Sequence, residues 1–184
     1  MDYTKGHKLL IVTGLVLILL FTGIGYCLEA TEYQIKGAMM INFIKFVQWP
    51  EQLTDQSTDK TNGKITIGII GKDNFGNTLD QIEGKAIGEK QLSIRYINSL
   101  NQLSDCHVLF VGDSESYRCR QILCEVSGTP VLTIGENVDF IRLGGIIRFY
   151  NEKNHVRFEI NQDAALKSDL KLSAKLLEVA AAIH

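Results

Sequence analysis

The sequence predicts a three-layer α/β sandwich with a mostly parallel central sheet and an antiparallel C-terminal edge hairpin. Three observations lead there. Strand-like apolar runs alternate with stretches of helical spacing, the order that builds parallel sheets flanked by helices. The runs "CHVLFVG" (106–112) and "PVLTIG" (130–135) are apolar almost throughout, as strands covered on both faces are. The run 144–161, "GGIIRFYNEKNHVRFEIN", alternates with period two on either side of a polar turn, the mark of a half-exposed hairpin.

Residues 1–30 stand apart from the rest. Lys5 and Lys8 precede an apolar stretch, Leu9 to Ile24, that is shorter than the roughly 20 residues needed to span a bilayer. A charged start and a short apolar core read as an export signal, with removal expected between Cys27 and Ala30. An uncleaved anchor and a lipoprotein attached at Cys27 are the two rival readings. All three put residues 31–184 outside the cytoplasm.

Within 31–184, Thr31 to Val47 has helical spacing, with Thr31 as N-cap and Tyr33, Ile35, Ala38, Met39, Phe43, Phe46 and Val47 as its apolar face. Trp49-Pro50 ends it, because proline disfavours helix in the residue before it. Glu51 to Gly63 is polar and aperiodic, hence a loop. "KITIGII" (64–70) is a β-branched strand, followed by a helix to Ile82 capped by Asp73 or Asn74. A short strand, a glycine turn and a second strand end at Ile97. Ser99 to Leu103 makes a helical turn. Ser114 caps a helix to Val126, and 136–145 is a loop. Gln162 to Ile183 is helical, broken near Ser168-Asp169, with Leu166, Leu170, Ala174, Leu177 and Ala181 as its stripe.

Chemistry is hard to find in this chain. The net charge of −2 offers no electrostatic case for nucleic acid or an anionic membrane. The glycines after strand 64–70 lack both the dinucleotide fingerprint and a phosphate-loop Lys-Ser/Thr pair. No Gly-x-Ser-x-Gly occurs. His107 lies in an apolar strand, His155 on the hairpin, and no second histidine stands at metal-ligand spacing. No catalytic residue, metal or cofactor is expected. Once the signal is removed, Cys106, Cys119 and Cys124 remain. If a bond forms, Cys106–Cys124 is the pair expected, since the helix returns Cys124 to the height of Cys106. The alternative is three small buried thiols.

The hairpin face is the one suggestive feature. His155, Arg157, Glu159 and Asn161 share a side, with Arg148 and Tyr150 on the partner strand. Such a row is either a solvated face or a polar contact surface.

"EYQIKGAMMINFIKFVQWP", "ITIGIIGKDNFG", "CHVLFVG", "GTPVLTIGENVDFIRLGGIIRFYNEKNHVRFEIN" and "AALKSDLKLSAKLLEVA" occur here in order. Together they resemble the YfiR family of periplasmic regulators (DUF4154) over Glu32 to Ile183. The resemblance implies regulation rather than catalysis. It implies a protein that binds the periplasmic sensor domain of an inner-membrane diguanylate cyclase, or of a sensor kinase, and holds it inactive. It also implies that an outer-membrane lipoprotein can sequester the regulator, so that cyclic di-GMP and biofilm formation rise. A homodimer is compatible with it, though no interface carries over. Some members are described with two disulfides. Strand 64–70 and loop 136–145 contain no cysteine here, so that pairing does not carry over whole. With this resemblance, the expected contact region is the hairpin face, Arg148, Arg157, Glu159 and Asn161, with Phe140 and Ile141 as an apolar loop tip beside it. The runner-up is a small-ligand sensor with its pocket near Gly71 and Gly112, at the carboxyl ends of the strands.

Overall fold

The computed structural model describes residues 30–50, 63–72 and 74–184. The expected signal segment, most of the loop after Pro50 and the Asp73 cap lie outside the described residues. Thr31–His184 forms one compact unit.

Helix α1, Glu32–Phe46, begins where predicted. The Thr31 hydroxyl accepts from Gln34 N–H, and the Gln34 side chain accepts from Thr31 N–H. This reciprocal box satisfies two amide donors that a helix start leaves orphaned. Its buried face differs from the expected one: Lys36, Gly37, Met40, Phe43 and Ile44 are buried, while Ala38 is exposed. Strand β1, Val47–Gln48, follows directly.

The remaining elements follow in chain order. They are β2 (Lys64–Ile70), α2 (Asn77–Asp80), β3 (Ala86–Ile87) and β4 (Lys90–Ile97), then a 3₁₀ turn (Leu100–Asp105) and β5 (Val108–Val111). A second 3₁₀ turn (Asp113–Arg118) leads into α3 (Cys119–Glu125) and β6 (Leu132–Gly135). The hairpin β7 (Ile147–Glu152) and β8 (His155–Ile160) follows, then α4 (Gln162–Lys167), β9 (Lys171–Leu172), α5 (Ala174–Glu178) and β10 (Ala182–Ile183).

The main sheet runs β10-β8-β7-β6-β5-β2-β4-β3. Its β4-β2-β5-β6-β7 stretch is parallel, and β7–β8 and β3–β4 are antiparallel. The fold class is therefore as predicted, with one adjustment. The hairpin does not form the edge, because β10 pairs parallel to the end of β8 beyond it. The C-terminal segment is less helical than its apolar spacing indicated. β9 interrupts it by pairing antiparallel with β1, and Leu166 and Ala174 are exposed. The paired strands lie far apart in the chain, and no local period encodes such a partnership.

Two cores sit on the two faces of the sheet. Val108 and Phe110 join the α1 side, with Met40, Phe43, Ile67, Phe149 and Phe158; Leu109 and Val111 join the α3 side, with Cys106, Cys119, Ile122 and Phe140. Every second residue of β5 thus feeds the opposite core, as the pleat requires. Two expected helix caps do not form. Asn74 instead donates to the Tyr33 hydroxyl, and Ser114 Oγ accepts from Lys72 N–H at 2.8 Å.

Phe140 is the tightest element of the second core. It is fully buried, and a Cβ added at Gly135 or at Gly145 would lie 2.2 Å from its ring. Both positions therefore need the space that only glycine leaves. Gly135→Ala is expected to destabilise by roughly 1–3 kcal/mol or more, read as a lower urea midpoint with an unchanged slope.

Candidate functional site

The hairpin turn, Lys153 and Asn154, has φ of 48° and 63°. Two consecutive left-handed residues match the right-handed twist of the strands they join. The register that follows places Arg148 opposite Glu159 and Tyr150 opposite Arg157. On the inner side, Phe43 of α1 meets both strands, with ring centroids 5.7 Å from Phe149 and 4.8 Å from Phe158. Burial of these rings fixes the ribbon against α1 and turns the charged row outward.

Within that row the ion pairs run across the ladder. Glu159 pairs across the ladder with Arg148, Nε to Oε1 at 2.5 Å, and His184 Nε2 lies 3.2 Å from its other oxygen. The Arg148 guanidinium also sits 5.0 Å over the Tyr150 ring. Partial burial opposes ionisation of Glu159, but bonds from Arg148 and His184 outweigh it and hold the carboxyl below its usual range. Arg157 turns instead to Glu152, at 3.8 Å, and both side chains stay more than half exposed.

Asn161 has structural duties. Its carbonyl accepts from Ala164 N–H at 2.9 Å, capping α4, and its amide donates to the Ile141 carbonyl at 3.2 Å. Ile141 is half-buried. Phe140 corrects the expectation of an exposed apolar tip, because the two glycines facing it admit its ring into the core. The expected Cys106–Cys124 bond is likewise not formed, and all three cysteines are free thiols. Cys106 is buried with its sulfur over Gly68, whereas Cys124 is exposed on α3. Burial, with Asp139 nearby, pushes the Cys119 thiol up to about 11, so it stays protonated.

A second polar centre was not legible in the sequence. Lys36 is 3% exposed and is bonded to both Glu32 and Glu136. Its ammonium lies 4.5 Å from the Tyr33 ring centroid. The Tyr33 hydroxyl donates to Glu136 at 3.3 Å and accepts from Asn74 at 3.0 Å. Burial works against the charge on Lys36, but Glu136 and Glu32 outweigh it and raise its pKa. The centre lines a cavity of about 590 Å3 at the carboxyl ends of β5, β6 and β7. Of the crevice expected near Gly71 and Gly112, the space beside Gly71 is taken by the Ser114 and Glu115 side chains, and the cavity lies on the Asp113 side. Among the described residues, no group of three or more His, Cys, Asp or Glu could hold a metal, and no helix is long and apolar enough to cross a membrane.

Fold and site define an α/β domain whose polar features, among the described residues, are ion pairs and helix caps. Residues 33–181 match the YfiR/HmsC-like family (DUF4154), and the chain belongs to that family. The family is one of periplasmic regulators of cyclic di-GMP signalling. No curated protein matches the chain. Among solved structures it is similar to a conserved domain protein of Vibrio cholerae O1 biovar El Tor, at 7% identity and a TM-score of 0.53. That match covers 85% of this chain and 61% of the other. It is also similar to the ABC domain in complex with L-Trp from Streptococcus pneumoniae, at 9% identity and a TM-score of 0.53, covering 80% of this chain and 60% of the other. The chain thus spans about three fifths of each. Both likenesses show the fold alone.

Two predictions follow from these ion pairs. Lys36→Ala leaves two carboxylates, one of them largely buried, without their cation. It is expected to cost about 3–5 kcal/mol, whereas Lys36→Met in a Glu32→Gln, Glu136→Gln background costs less than half of that; denaturant melts compare them. Glu159, with its pKa depressed, contributes stability that is present above its unfolded value and lost as pH falls through its folded one. Glu159→Gln is therefore expected to lower the urea midpoint at pH 7 and to narrow its gap from wild type on acidification below about pH 4.

Proposed function

We propose that this protein is an exported repressor that binds the periplasmic sensor domain of an inner-membrane signalling protein, a diguanylate cyclase first and a sensor kinase second. It binds through the charged face of the β7–β8 hairpin. Arg157 supplies the most accessible charge, Arg148 and Glu159 a pre-paired and partly desolvated centre, and Ile141 an apolar margin. Asn161 holds the Ile141 loop against the ribbon. An outer-membrane lipoprotein would compete for the same regulator.

The observation that carries this reading is the unequal treatment of the hairpin's two sides. One side is pinned by Phe43 against α1, and the other presents charges held in register but still reachable. A rigid polar face loses little entropy on docking. Repression then works by population shift: the regulator binds the inactive arrangement of the sensor better than the active one. Near-complete reversal needs about 5.5 kcal/mol of differential affinity. Membership of a family of periplasmic regulators supports the reading.

The test pairs the purified chain with the cyclase encoded nearest to it in the same genome and measures sensor-domain binding and cyclase output in envelopes. Arg157→Glu is expected to weaken binding about tenfold or more and to release the cyclase, with the melting temperature at the wild-type value. Unchanged binding by this variant removes the hairpin face from the account.

A further inference from the structure

The hairpin outruns the strands on both sides of it. β6 pairs with β7 only as far as Gly135 and Arg148, while β7 and β8 stay paired out to Glu152 and His155. No strand of the described residues lies beyond the distal half of β7, Phe149 to Glu152. The direction of its peptide groups follows from register. Ala181 and His184 donate to the carbonyls of Phe158 and Ile160, so alternate residues of β8 turn away from β7. In an antiparallel ladder the residues opposite them also turn outward. Val156, in phase with Phe158, faces Asn151. Asn151, past the end of β6, therefore aims its N–H and C=O over an open edge.

This edge forms one wall of the cavity of about 590 Å3. Glu32, Asp113 and Glu136 line it against the single ammonium of Lys36, which leaves a formal charge of −2. Val138, 77% exposed, stands at its mouth. An unpaired edge is a template for another chain unless it is blocked. Among the described residues the space alongside is acidic, with Phe149 at its wall and Val138 as its exposed apolar contact. An added strand would point alternate side chains toward the carboxylates and toward Val138.

We propose that the open edge of β7 takes an extended segment of a partner protein, added as a strand, that carries a lysine or arginine into the acidic cavity. This rests on the reading that the chain binds a protein, and it adds a binding mode and a sequence preference.

The probe is a fluorescein-labelled hexapeptide, Thr-Lys-Val-Arg-Val-Thr, titrated into the full exported chain. Its companions are an acidic twin, Thr-Glu-Val-Glu-Val-Thr, and a basic twin N-methylated at alternate amides. The basic peptide is expected to bind saturably and to slow exchange of the Asn151 amide. Both twins should bind at least about tenfold more weakly. Asn151→Pro removes the outward N–H at an edge position that tolerates proline, and should abolish binding. Val138→Arg adds a positive charge at the cavity mouth without touching a strand, and should weaken binding even if the proline variant folds poorly. Absence of binding, equal binding of the two charge twins, or binding that survives Val138→Arg overturns the proposal. If the sensor domain still binds in that event, only the strand addition fails. If neither binds, the parent reading fails with it.

Discussion

An ammonium group taken out of water must be matched almost at once by negative charge, and Lys36 imposes that demand on the whole domain. It sits in the first half of α1, is 3% exposed, and is satisfied by Glu32 one turn earlier and by Glu136 at the end of β6. The first bond is local to the helix; the second can form only if α1 lies across the carboxyl end of the sheet in one rotation. Tyr33 and Asn74 extend the same lock to the segment after β2. Charge pairs of this kind add little net stability over apolar packing, but a wrong arrangement strands a buried charge, which is costly. Lys36 thus selects the position of α1 more than it strengthens it.

That position has consequences along α1. With Lys36 over the strand ends, Met40, Phe43 and Ile44 fall onto the sheet, and Phe43 reaches both hairpin strands. The apolar side of the hairpin is consumed by this contact. Its other side carries the Arg148–Glu159 pair and the looser Arg157–Glu152 pair. A regulator that acts by binding shifts its target through differential affinity. A ribbon held stiff from behind and charged in front is suited to that, and family membership supplies the periplasmic setting.

Much of the architecture could be read from local patterns. The continuous apolar runs at β2, β5 and β6, the alternation in β7 and β8, and the Thr31 cap all depend on neighbours within a few residues. The features that escaped depend on partners far along the chain. The burial of Lys36 depends on Glu136, a hundred positions away, so nothing local marks it. Phe140 looked like an exposed tip because the room for its ring comes from Gly135 and Gly145, whose meeting exists only in the fold. Arg157 and Glu159 share a face, but cross-strand neighbours are closer than residues two apart on one strand, and Arg148 claims Glu159. The C-terminal segment kept helical spacing while β1 drew β9 into a ladder. Of the candidate contact residues, Arg148, Arg157 and Glu159 lie on the face away from Phe43, as the alternation indicated, whereas Phe140 of the irregular loop is buried.

The central claim is that the hairpin is where this protein meets its target. Amide hydrogen exchange of the chain, alone and mixed with the sensor domain of the cyclase proposed as its partner, tests it most directly. Docking on the hairpin predicts slowed exchange concentrated in 147–160, with 86–97 at the opposite end of the sheet unchanged. Protection confined to 86–97, with the hairpin exchanging as in the free protein, would contradict it.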